Sequence, residues 1–134
     1  MKKLTIIITA VVCLFSGLTS RAHTSGNDVF NPIGKYITQG DVESLSAWFD
    51  NTMEVSVISS SHFSSRNQAK QIVKRFFDTY TPRSFRIDHT AGRTNMKYSL
   101  GTLYAGGENF LVTIFVSRRD DTFHIQQLKI ERMR

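Results

Sequence analysis

Two neighbouring stretches, residues 109–118 (NFLVTIFVSR) and 122–132 (TFHIQQLKIER), constrain this chain more than any other part of it. In the first, Phe110, Val112, Ile114 and Val116 form a wholly apolar alternate set, while Leu111 and Phe115 share the other set with Thr113 and Ser117. That pattern describes a strand with one fully buried face. In the second, Phe123 and Ile125 are in phase with each other, but Leu128 and Ile130 are out of phase with them by one residue. A bulge near Gln126 and Gln127 restores the phase and bends the strand. Arg119, Asp120 and Asp121 supply turn residues, so the two stretches are expected to form a long bent hairpin.

The sequence opens with Met1, Lys2 and Lys3, continues through an apolar run at 4–18, and reaches Ser20, Arg21 and Ala22. This reads as a secretory signal peptide over 1–22, cleaved after Ala22, with export to the periplasm or the exterior. The run falls short of the ~20 apolar residues of a bilayer span, so no stable membrane anchor is expected. Val11 and Val12 ahead of Cys13 lack the small residue that lipoprotein processing requires. Cleavage removes the single cysteine, leaving no disulfide, thiol nucleophile or thiolate ligand. It also lowers the charge: of the formal +6, Lys2, Lys3 and Arg21 carry 3, which leaves 6 − 3 = +3 on 134 − 22 = 112 residues. That mild excess, with no Arg-rich run interleaved with aromatics, does not describe a nucleic-acid binder.

Residues 23–27 read as a disordered lead-in and 28–134 as one domain, with no internal repeat. Ile33, Tyr36 and Ile37 share the face of a short helix ended by Gly40, and Asp41 caps a second helix carrying Val42, Leu45, Trp48 and Phe49. Residues 53–59 (MEVSVIS) alternate as a first strand, and 59–62 (SSSH) read as a turn. Ser65 and Gln68 form a capping box for a helix with Ala69, Ile72, Val73, Phe76, Phe77 and Tyr80 along one stripe, ended by Pro82. In 83–91, Phe85, Ile87 and His89 alternate against Arg86, Asp88 and Thr90; in 96–105, Met96, Tyr98, Leu100, Thr102 and Tyr104 alternate against Lys97, Ser99, Gly101 and Leu103. Both are expected strands.

This order of elements resembles the nuclear transport factor 2-like superfamily, the cystatin-like or cone folds. Residues 63–77 (FSSRNQAKQIVKRFF), 82–92 (PRSFRIDHTAG), 98–103 (YSLGTL) and 125–131 (IQQLKIE) look more specifically like a family of small secreted Gram-negative bacterial proteins, catalogued as a domain of unknown function. The resemblance implies an α+β fold: a strongly curved antiparallel sheet wrapped around one long helix, with short N-terminal helices and a conical cavity between helix and sheet. Cone folds host isomerases, dehydratases, adaptors and ligand binders, so the fold leaves the activity open.

Isomerase-like relatives move a proton with an acid on the cavity-facing side of the sheet. Here Asp88 is in antiphase with the apolar residues of its strand, and Glu54, Glu108 and Glu131 are outward or terminal by the same count, so carboxylate catalysis is disfavoured. Dehydratase-like relatives use a histidine beside an acid; His89 is the one histidine in phase with inward residues, and Tyr98 or Tyr104 lies across the strand pair. His62, His89 and His124 lack the short spacings of a metal site, and neither a nucleophile elbow nor a phosphate loop is present. Two readings follow, neither with a cofactor. The first is a non-catalytic binding module, either with a cavity lined by Tyr36, Trp48, Phe76, His89, Tyr98 and Tyr104 for a small apolar ligand, or with the outer sheet face as its surface, where Leu111 and Phe115 support a homodimer through the sheet. The second is an isomerase- or dehydratase-like enzyme with His89 as base.

Overall fold

A computed structural model of the protein describes residues 29–133, so the expected signal peptide and lead-in lie outside the described residues. Helix α1 (Phe30–Gln39) buries Phe30, Ile33, Gly34 and Ile37 and ends at Gly40, whose φ of 66° a residue without a Cβ adopts freely. Helix α2 (Val42–Ser46) starts where the Asp41 carboxylate accepts from the Ser44 N–H at 3.1 Å. The Ser44 hydroxyl, then the Ser44 N–H, hold the Asp41 carboxyl below its ordinary range. The expected second helix is one turn too long: Phe49 already belongs to strand β1 (Phe49–Val57), where it pairs with Ile125. Tertiary pairing overrides the helical spacing of Trp48 and Phe49.

A two-residue turn at Ile58 and Ser59 leads from β1 into strand β2 (Ser60–Ser65), a strand where the residue pattern predicts a turn and a cap. Ser65 then caps helix α3 (Arg66–Thr79) with the expected reciprocal pair, Gln68 N–H to Ser65 Oγ at 3.2 Å and Ser65 N–H to Gln68 Oε1 at 3.4 Å. Four strands follow: β3 (Pro82–Gly92), β4 (Met96–Ala105), β5 (Glu108–Arg119) and β6 (Thr122–Arg132).

The six strands form one sheet in the order β2-β1-β6-β5-β4-β3. It is mixed rather than antiparallel throughout, because β1 runs parallel to β6. The β5–β6 hairpin turns at Asp120 and Asp121, both at positive φ, as a tight turn matched to strand twist requires. Its register skips Gln126: Phe115 pairs with Gln127 and Val116 with Ile125. The phase slip in the sequence therefore marked a real bulge.

The core lies between the sheet and the three helices. Phe110, Val112, Ile114 and Val116 of β5 share one buried core with Ala69, Val73, Phe76 and Phe77 of α3. The Phe76 ring stands edge-on to Phe110 with centroids 5.0 Å apart, and Tyr80 meets the same ring at 5.1 Å. Helix α1 packs on β3, where Gly34 lets the Phe85 ring approach. No helix among the described residues is long and apolar enough to cross a membrane.

Candidate functional site

The expected aromatic cavity depends on which way β4 faces, and β4 faces the other way. Ser99, Gly101, Leu103 and Ala105 are its buried set, whereas Tyr98, Leu100 and Thr102 are half-buried on the outer face and Tyr104 is 45% exposed. The reason is visible at Gly101. A Cβ there would lie 2.6 Å from the Phe85 ring and 2.7 Å from the Arg86 carbonyl oxygen, so Phe85 fills the space that a β4 side chain would otherwise occupy. Small residues point inward because the neighbouring strand supplies the bulk.

His89 is also outside. The β3–β4 register skips one residue between Ile87 and His89, so Ile87 pairs with Gly101 and His89 with Leu100. This bulge at Asp88 takes His89 out of phase with Phe85 and Ile87 and leaves it exposed, its ring centroid 6.1 Å from that of Tyr98. It borders an open concavity of about 310 Å3 with Phe30, Asn31, Ile87, Asp88 and Thr90. The neighbouring Asp88 carboxylate is engaged elsewhere, accepting from Thr102 Oγ1 at 2.7 Å and Arg86 Nε at 2.6 Å. The Thr102 hydroxyl, then the Arg86 guanidinium, hold the Asp88 carboxyl below its ordinary range. Among the described residues the His89 imidazole has no hydrogen-bonding partner to orient it as a base.

The six residues expected to line one cavity are thus dispersed. Phe76 is part of the core, and Tyr36 and Trp48 pack against that core from its margin. His89, Tyr98 and Tyr104 lie on the other side of the sheet or at its rim.

Leu111 and Phe115 are on the outer face, as their phase indicates. Phe115 pairs directly with Tyr98 on β4 and with Gln127 on β6; Leu111 pairs with Thr102 and Glu131. Leu100 stands between them, opposite Thr113. Tyr98, Leu100, Leu111 and Phe115 thereby form a partly exposed apolar strip across two strands, flanked by Arg86 and Asp88 on β3 and by Lys129 and Glu131 on β6.

One buried acid was missed. Asp50, on β1, is 3% exposed, an acid absent from the phase count that covers Asp88, Glu54, Glu108 and Glu131. It accepts from the Arg119 guanidinium, from the side-chain amide of the bulge residue Gln126, and from the Asn51 N–H at 2.7 Å. The group fastens the β6 bulge and the end of β5 to β1, where the β1–β6 ladder is interrupted between Phe49 and Glu54. Buried and ringed by donors, Asp50 is positioned as a structural tie with no open side toward a substrate. Among the described residues no three His, Cys, Asp or Glu side chains come together as a metal ion would need.

Comparison with known proteins agrees with this architecture. No curated protein matches the sequence. A protein of the DUF4783 family from Bacteroides uniformis is 18% identical with a TM-score of 0.74, covering 77% of this chain and 95% of its own. A cystatin-like domain of unknown function from Nostoc punctiforme is 15% identical with a TM-score of 0.64, covering 83% and 80%. A designed nuclear transport factor 2-like protein is 16% identical with a TM-score of 0.66, covering 79% and 99%. At such identities the likeness speaks to the fold alone, and the fold is similar to that of the cystatin-like domain and the designed nuclear transport factor 2-like protein. The model of the domain of unknown function DUF4783 matches residues 30–131, and the chain belongs to that family.

Proposed function

We propose that this protein is an exported, non-catalytic binding module whose working surface is the outer face of the sheet, and that its first partner is a second copy of itself. The observation carrying this reading is the strip Tyr98, Leu100, Leu111 and Phe115, apolar and partly exposed on a face that none of the described helices covers. Its flanks carry both signs of charge, Arg86 with Asp88 and Lys129 with Glu131, so a copy turned about a two-fold axis can set acid against base. Bulges at Asp88 and Gln126 support the stronger curvature expected of a cone fold, which makes this face the convex one.

A small-ligand cavity has less support, since the inward residues are packed into the core and the expected lining is dispersed. An enzyme with His89 as base lacks an orienting partner for the imidazole. The test is light scattering over a concentration series. The wild-type protein is expected to run as a dimer and Phe115→Asp as a folded monomer, checked by circular dichroism. A wild-type protein that stays monomeric at the highest concentration overturns the dimer.

A further inference from the structure

The two edges of the sheet are guarded very differently. Strand β3 begins at Pro82, breaks register twice, carries Arg83, Arg86 and Asp88, and is packed by α1. Prolines, bulges and charges are the usual means by which an edge is kept from pairing with another chain. Strand β2 has none of them. Its six residues, SSHFSS, pair with β1 without a register shift and include no proline and no formal charge.

The direction of the free backbone groups follows from the ladder. The Ile58 N–H donates to Ile130 and the Trp48 carbonyl accepts from Ile125, so the even-numbered residues of β1 turn toward β6. Val57, Val55 and Met53 therefore bond Ser60, His62 and Ser64, and Ser61 and Phe63 present their N–H and C=O groups to the open edge. Phe63 is 78% exposed. Against this edge lies a groove of about 630 Å3 bounded by Ser61, His62, Phe63 and Ser64 on one side and by Gln68, Gln71, Ile72 and Arg75 on the other. Residues of both strand faces line it, so it runs along the edge itself. Gln68, Gln71, Ile72 and Arg75 are spaced as one stripe of α3.

The charge of the groove selects its occupant. No acid lines it. Other cations of α3 are engaged: Lys70 with Glu43, Lys74 with Asp78 at 3.1 Å, and Arg66 with the Phe49 carbonyl and Asn51. Arg75 has no ion-pair partner among the described residues and faces the groove with His62.

We infer that an extended acidic peptide segment docks here, joining the sheet as a strand beside β2 and directing a carboxylate to Arg75. The main-chain bonds give affinity whatever the side chains, and Arg75, Ile72 and Phe63 choose among them. The surface is separate from the outer-face strip, so either can fail without the other.

The experiment is selection of displayed random seven-residue peptides on the purified protein, followed by fluorescence anisotropy of the enriched peptides. Enrichment of Asp- and Glu-bearing sequences is expected. Phe63→Pro deletes one free-edge N–H but no bond to β1, a position where strands tolerate proline. It should keep the thermal midpoint and weaken binding about tenfold or more, the size of lost main-chain bonds. Arg75→Glu should abolish the preference for acidic peptides. Binders indifferent to Phe63→Pro, or selection of neutral or basic sequences, or none, overturn the proposal. So does self-association that Phe63→Pro removes, which would give the edge to a second copy.

Discussion

Strands β4 and β5 lie side by side and alternate equally well in sequence, yet only β5 places its bulkier alternate set in the core. In β5 the inward set is Phe110, Val112, Ile114 and Val116, and every outward residue is more polar or more exposed. In β4 the larger set, Tyr98, Leu100 and Tyr104, turns outward while Ser99 and Gly101 turn in. The difference lies in which side chains fill the space on the inner side of each strand. Strand β5 meets α3, which brings side chains and leaves room for rings. Strand β4 meets Phe85, whose ring already lies on Gly101. Inward volume, rather than polarity, decides the phase of β4.

The comparison breaks most sharply at Phe110. This ring is fully buried against Phe76 and Tyr80, so Phe110→Ala should cost about 3–5 kcal/mol, read by chemical denaturation. Gly101→Ala tests the other half. Adding one methyl against the Phe85 ring and the Arg86 carbonyl should cost about 1–3 kcal/mol by overpacking, and Phe85→Leu in the same chain should recover part of it. A neutral Gly101→Ala would falsify the claim that Phe85 sets the phase.

The same contrast explains what the sequence made legible. The β5–β6 hairpin was readable because its apolar residues announce both the buried face and the slip at Gln126. Helix α3 was readable because Ser65 and Gln68 lie three residues apart and bond only each other's backbone. The slip at Asp88 was invisible, since Asp88, His89 and Thr90 carry no apolar residue to show a change of phase, and His89 was misassigned with it. Strand β2 was invisible because serine has no strand signature and its pairing is dictated by β1. Asp50 could not be found at all: its side-chain partners are 69 and 76 residues away along the chain. A buried acid is recognised only when its donors are in view.

The smallest effect sharpens the outer side of the β3–β4 pair, where Thr102 and Arg86 both donate to Asp88. The folded carboxyl titrates below its ordinary value of 3.8, with the Thr102 bond as the larger cause. A lowered carboxyl contributes stability above the unfolded value and loses it as pH falls through the folded one. Asp88 lies at the solvent-facing surface, so screening keeps the stability change small and the titration itself is the better readout. Thr102→Val keeps the shape and removes the donor. The Asp88 carboxyl resonance should then titrate at higher pH, nearer the ordinary value, and Arg86→Met should also raise it. An unchanged midpoint in Thr102→Val would mean that the hydroxyl does not hold the carboxylate, and that the outward phase of Thr102 rests on the packing of Gly101 alone.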